Sequence, residues 1–226
     1  EEEEAPFDDG PCCLEAAMAT RGYEAADASA AEWAAFWRSA PAAVAIDAEG
    51  THMSPPVLMQ ICADSTKRVL LYAPDASGLG ADAERLLRDP RVTKCLFGPP
   101  EREKLGAKIV NGLDVQRIAA KRANAPVERH KQKGLATVCG ELLRGEAFDK
   151  HKDLQKSFGL IKRRPDTASL DWLSPAQRDY AAADAWATLE IYKHLPPPPG
   201  KRRTARHANR AHTSDRGRAQ TADHQG

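Results

Sequence analysis

The chain has 226 residues, 42% hydrophobic and 29% charged, with a formal net charge of +1. At roughly 100 to 200 residues per domain this is one domain with tails. No run approaches the roughly 20 apolar residues of a membrane span, and the start, EEEEAPFDDG, has neither the basic n-region nor the apolar h-region of a secretory signal.

The first ten residues carry six acids and no base, so residues 1–27 are read as an acidic, disordered segment. A helix is predicted over Ala31 to Trp37, where Trp33, Phe36 and Trp37 share a face. Three strand-like runs follow, Ala42 to Gly50, Val57 to Ala63 and Arg68 to Ala73, close enough in sequence to be antiparallel neighbours. Next come a helix around Ala81 to Arg88, a strand over Val92 to Gly98, a helix after Pro100, a short strand near Ile109 to Leu113, and helices to Leu195. This order predicts an α/β domain over residues 28–197, a mixed sheet of about five strands flanked by helices. Pro196 to Pro199 lead out of it into a basic tail, residues 198–226, whose last 26 residues hold seven Lys or Arg against two acids and no large apolar side chain. The tail is read as disordered.

The cysteines Cys12, Cys13, Cys62, Cys95 and Cys139 are odd in number, and none lies at zinc-ligand spacing from another Cys or His. That argues against a disulfide scaffold and a zinc module, and for an intracellular protein, nuclear or cytoplasmic, with reduced thiols. No glycine-rich phosphate loop, HExxH or GxSxG element is present.

Two features carry chemistry. Asp47-Ala48-Glu49 ends an otherwise apolar strand, and alternation puts both carboxylates on one side, about 6 to 7 Å apart along the chain. Two anions there repel unless a cation lies between them. In LSPAQRDYAAADAWATLEIYKHL, Ser174 reads as an N-cap with Pro175 at the first helical position, and i, i+4 spacing stacks Tyr180 and Asp184 on one face. The alanines between suit close approach to another element.

A DxE at a first strand's end and a YxxxD on a late helix, in this order of elements, resemble the DEDDy branch of the DEDD 3′-to-5′ exonucleases, which includes ribonuclease D and the Werner-type exonuclease domain. The resemblance covers about Trp33 to Leu195 and rests on Leu173, Ser174, Gln177, Tyr180, Ala181, Ala182, Asp184, Ala185, Ile191, Tyr192 and Leu195. Leu58, Gln60, Asp114 to Gln116, Ala119, Leu135 to Leu142 and Trp172 support it. It implies an RNase H-like fold and hydrolysis of the terminal phosphodiester of single-stranded 3′ ends, RNA or DNA, to nucleoside 5′-monophosphates. It implies two ions, Mg²⁺ or Mn²⁺, with Asp47 bridging them, Glu49 and Asp184 each completing one, and Tyr180 orienting the attacking water.

The family's fourth carboxylate is an Asp, but VTKCLFGPPEREKLG (Val92 to Gly106) contains none. Glu101 is the expected counterpart, with Glu103 in an alternative register, and Pro99-Pro100 fills the gap before them. Glu keeps the charge and adds a methylene, which exacting octahedral Mg²⁺ tolerates poorly. The rival reading is therefore a catalytically impaired domain of the same fold serving as a nucleic-acid-binding or adaptor module. For substrate, Lys162, Arg163 and Arg164, with Lys150, Lys152 and Lys156 before them, are candidate phosphate contacts. Met53 and Met59 are either wedges against terminal bases or core filling. Asp114 is placed with the fold rather than with catalysis.

Overall fold

The computed structural model describes residues 13–50, 56–75, 77–98, 105–123, 133–149, 151–159 and 169–195. Among them the elements run α1 (Leu14–Thr20), β1 (Glu24–Asp27), α2 (Ala30–Arg38), β2 (Ala43–Glu49), β3 (Leu58–Ala63), β4 (Arg68–Tyr72), α3 (Ala81–Arg88), β5 (Thr93–Leu96), β6 (Gly112–Asp114), α4 (Val115–Arg122), α5 (Leu135–Arg144), α6 (Lys152–Gly159) and α7 (Pro175–His194). The six strands form one mixed sheet in the order β1-β4-β3-β2-β5-β6. The three central strands are antiparallel neighbours, as their short connections require, while β1, β5 and β6 join in parallel.

Period-two alternation in β2 divides the core between the sheet's two faces. Val44, Ile46 and Ala48 face α2 and α3, packing with Trp33, Phe36, Leu86 and Leu87. Ala45 faces the other way, into a core shared with α1, α5 and α7. Helices on both faces explain why β3 is buried along its whole length.

The N-terminal expectation is corrected here: Leu14 to Asp27 are not disordered but contain α1 and β1. Leu14, Ala17 and Met18 form a buried stripe at helical spacing, and β1 extends the sheet edge beside β4. The acid-rich start masked that stripe. The β6 strand begins three residues later than expected and runs to Asp114, which caps α4, its side chain accepting from the Arg117 backbone N–H at 2.9 Å. That agrees with placing Asp114 in the fold. Met59 is fully buried on the α2/α3 face, so it fills core and faces no substrate. Met53, the helix after Pro100, residues 1–12 and the tail from 198 lie outside the described residues.

Sequence gave no warning of Lys94, which is completely buried on β5. Its ammonium donates to the carbonyls of Val92 (3.0 Å), Val110 (2.8 Å) and Asp89, and burial lowers its pKa. It ties the start of β5 to the segment entering β6.

Candidate active site

The site is built from a strand end and a helix middle. On β2, Asp47 and Glu49 follow Ala45 on the α7 face, both half-buried. Gly50 ends the strand with φ +99°, a conformation that favours glycine, and a Cβ there would press on Val57 at 3.1 Å.

Helix α7 starts at a capping box: the Ser174 hydroxyl accepts from the Gln177 N–H at 3.2 Å, and the Ser174 N–H donates to Gln177 Oε1 at 3.0 Å. Gln177 also donates to the Ser157 hydroxyl at 3.0 Å, fixing α6 beside it. Ala181, Ala182, Ala183, Ala185 and Ala187 are all buried, so α7 has no solvent face along its middle and lies close against the sheet. This delivers Asp184 to the strand end. Oxygen atoms of Asp47, Glu49 and Asp184 all lie within 4.8 Å of one another.

Tyr180, one turn before Asp184, is buried and stacks on Phe158 of α6, with ring centroids 6.1 Å apart and planes inclined by 26°. Burial raises its pKa most, and the charges of Asp184, Glu49, Asp47 and Glu15 push the same way. Its hydroxyl therefore keeps its proton well above the ordinary tyrosine range, leaving it a hydrogen-bonding group rather than a base.

Three converging carboxylates make a hard, all-oxygen donor set suited to Mg²⁺ or Mn²⁺. Like charges this close repel, so a bound cation fits the residues present. The structure thus brings together Asp47, Glu49, Tyr180 and Asp184. Glu101, Glu103, Lys162, Arg163 and Arg164 lie outside the described residues, as does Lys150. Lys152 and Lys156 are exposed on α6. Sequence reasoning missed Glu15, on α1, whose charge reaches Tyr180; the apolar stripe of α1 was the signal that could have found it.

The 3′-5′ exonuclease family model matches residues 25–197. The chain belongs to that family. The match holds the DxE and YxxxD pair of the DEDDy branch, and the fold is the RNase H-like one expected. RNase D of Trypanosoma brucei superposes with a TM-score of 0.58 at 20% identity, over 77% of this chain and 65% of that one, and its complex with RNA U12 with 0.59 at 19%, over 83% and 68%. Escherichia coli RNase D, an exoribonuclease involved in structured RNA processing, gives 0.52 at 25% identity, over 76% of this chain and 44% of that one. Brucella melitensis NrnC with bound Mg²⁺ gives 0.50 at 21%, over 76% and 77%. This chain thus spans under half of the Escherichia coli protein. No curated protein sequence matches it. Among the described residues, no helix is long and apolar enough to cross a membrane.

Proposed function

We propose that the chain is a 3′-to-5′ exonuclease that removes nucleoside 5′-monophosphates from single-stranded 3′ ends of RNA or DNA by a two-metal-ion mechanism. The observation that carries this is the approach of Asp47, Glu49 and Asp184 within 4.8 Å, with Tyr180 one helical turn away. Asp47, Glu49 and Asp184, with an acid of the second motif, Glu101 or Glu103, would hold two divalent ions. When bound, Mg²⁺ or Mn²⁺ lowers the pKa of the attacking water and neutralises charge on the scissile phosphate. The Tyr180 hydroxyl, held neutral by burial, orients that water by hydrogen bonding. Water oxygen bonds to phosphorus as the P–O3′ bond breaks, and the 3′ oxygen leaves with a proton as the new chain end. Lys162, Arg163 and Arg164 contact the phosphates of the strand. The RNA complex of Trypanosoma brucei RNase D and the Mg²⁺ of Brucella NrnC support this reading of substrate and metal.

A second reading, an impaired domain that binds nucleic acid without cutting it, is favoured by one observation: Val92 to Gly106 contains no Asp. Digestion of matched 5′-labelled single-stranded RNA and DNA with Mg²⁺ or Mn²⁺ separates the two. A ladder shortening from the 3′ end, abolished by EDTA and by Asp47→Ala, is the expected result and reveals the preferred sugar. Retained binding without a ladder in either metal would establish the second reading instead.

A further inference from the structure

A second cluster of ligating side chains lies on α1 and the segment entering α6. Cys13, Glu15 and His151 each offer one donor atom, sulfur, oxygen and nitrogen, and all three lie within 4.8 Å of one another. Well over a hundred residues separate Cys13 and Glu15 from His151, so no sequence spacing reveals them. A parallel backbone bridge between Cys13 and Asp149 sets the two segments side by side. Glu15 and His151 each lie two residues beyond that bridge, which is why they meet. His151 Nε2 and Glu15 Oε2 stand 3.9 Å apart, beyond hydrogen-bond length and near the spacing of two ligands sharing one ion.

We propose that Cys13, Glu15 and His151 form a Zn²⁺ site that fastens α1 to the segment entering α6, with a fourth position open to water. The donor chemistry selects the ion. A thiolate and an imidazole favour Zn²⁺ over Mg²⁺, whereas the all-oxygen set of Asp47, Glu49 and Asp184 has the opposite preference. Two sites in one small domain are therefore loaded by different metals. Glu15 and His151 have accessible side chains, 17% and 53% exposed, so an ion can reach them from solvent. Binding releases the Cys13 thiol proton to solvent and requires neutral His151, so affinity falls in acid. The site also touches the chemistry next door, because Glu15 is one of the carboxylates whose charge acts on Tyr180. A cation there cancels that charge.

Cobalt(II) titration of the full chain in excess Mg²⁺ tests the site, since only a thiolate ligand gives the near-ultraviolet sulfur-to-cobalt charge-transfer band. The expected result is one equivalent of Co²⁺ giving that band, its displacement by Zn²⁺, persistence of the band in Asp47→Ala and its loss in Cys13→Ser. His151→Ala, a change at an exposed side chain that leaves the core alone, is expected to weaken Co²⁺ binding and to remove the rise in Tm given by Zn²⁺. Absence of the band in the unaltered chain, or its survival in Cys13→Ser, overturns the proposal, as does an unchanged Zn²⁺ response in His151→Ala. None of these readouts depends on nuclease activity.

Discussion

Gln60 stands directly opposite Asp47 in the antiparallel register of β3 and β2, fully buried, and among the described residues neither heteroatom of its amide has a hydrogen-bond partner. Paired residues in such a register share a face, so the amide lies beside the carboxylate cluster. An unsatisfied buried amide costs on the order of 1 to 3 kcal/mol, a cost that proteins tend to retain where function needs it. Gln60→Leu, close to isosteric, is expected to raise Tm while lowering kcat with little change in KM. A fall in Tm in thermal unfolding would show that the amide is satisfied after all.

Tyr180 is expected to remain protonated through the ordinary tyrosine range, since burial and then the charges of Asp184, Glu49 and Asp47 all raise its pKa. A group raised in the folded state stabilises the fold below its unfolded pKa and loses that contribution as pH rises through the folded value. Tyr180→Phe should therefore remove no tyrosinate absorbance below about pH 10, the unperturbed value. In the proposed reaction it should also slow kcat by roughly a hundredfold, the scale of a mispositioned reactant.

The carboxylate cluster makes an opposed pair of predictions about stability. Without metal, Asp184→Asn relieves repulsion among three acids within 4.8 Å and should raise Tm. With Mn²⁺ at about a hundred times Kd, the unaltered chain should gain about 2.7 kcal/mol and the variant far less. Thermal unfolding with and without Mn²⁺ reads both signs.

Gly140 lies where α5 touches the following turn: a Cβ there would stand 2.3 Å from the Glu146 carbonyl oxygen and 2.5 Å from the Phe148 nitrogen. Backbone cannot yield as a side-chain tip does. Gly140→Ala is expected to cost at least about 1 to 3 kcal/mol, against the usual gain from alanine inside a helix. Denaturant titration measures it.

Asp64 accepts hydrogen bonds from the Tyr23 hydroxyl, Lys67 (3.0 Å) and Lys193 (3.1 Å), Tyr23 doing most to hold its carboxyl below the usual range. A lowered folded pKa gives stability that is present above the unfolded value near 3.9 and is lost as pH falls through the folded one. The advantage over Asp64→Asn, about 1 kcal/mol for a half-exposed carboxylate, should be flat from about pH 5 to 8 and shrink in acid. An advantage that grows in acid would contradict this network.

The sheet's central strands, α2, α3 and the long α7 were legible because their apolar period is unambiguous, and Asp47, Glu49, Tyr180 and Asp184 because each sits at a strand or helix spacing that fixes its direction. What escaped was non-local. Lys94 sits inside a strand pattern where a surface lysine would look the same, and only the three carbonyls meeting it explain its burial. Leu14, Ala17 and Met18 were overshadowed by the acidic residues before them, and with α1 went Glu15 and the meeting of Cys13 with His151.

Asp47 and Glu49 come from the second strand of the chain, while Asp184 comes from its last described helix, packed across β1 to β5. During synthesis the first two acids emerge long before the third. A chain halted before residue 175 lacks both the carboxylate that closes the triad and the helix that covers this face of the sheet. The carboxylate triad is thus completed only when α7, the last of the described elements to be made, docks on the sheet.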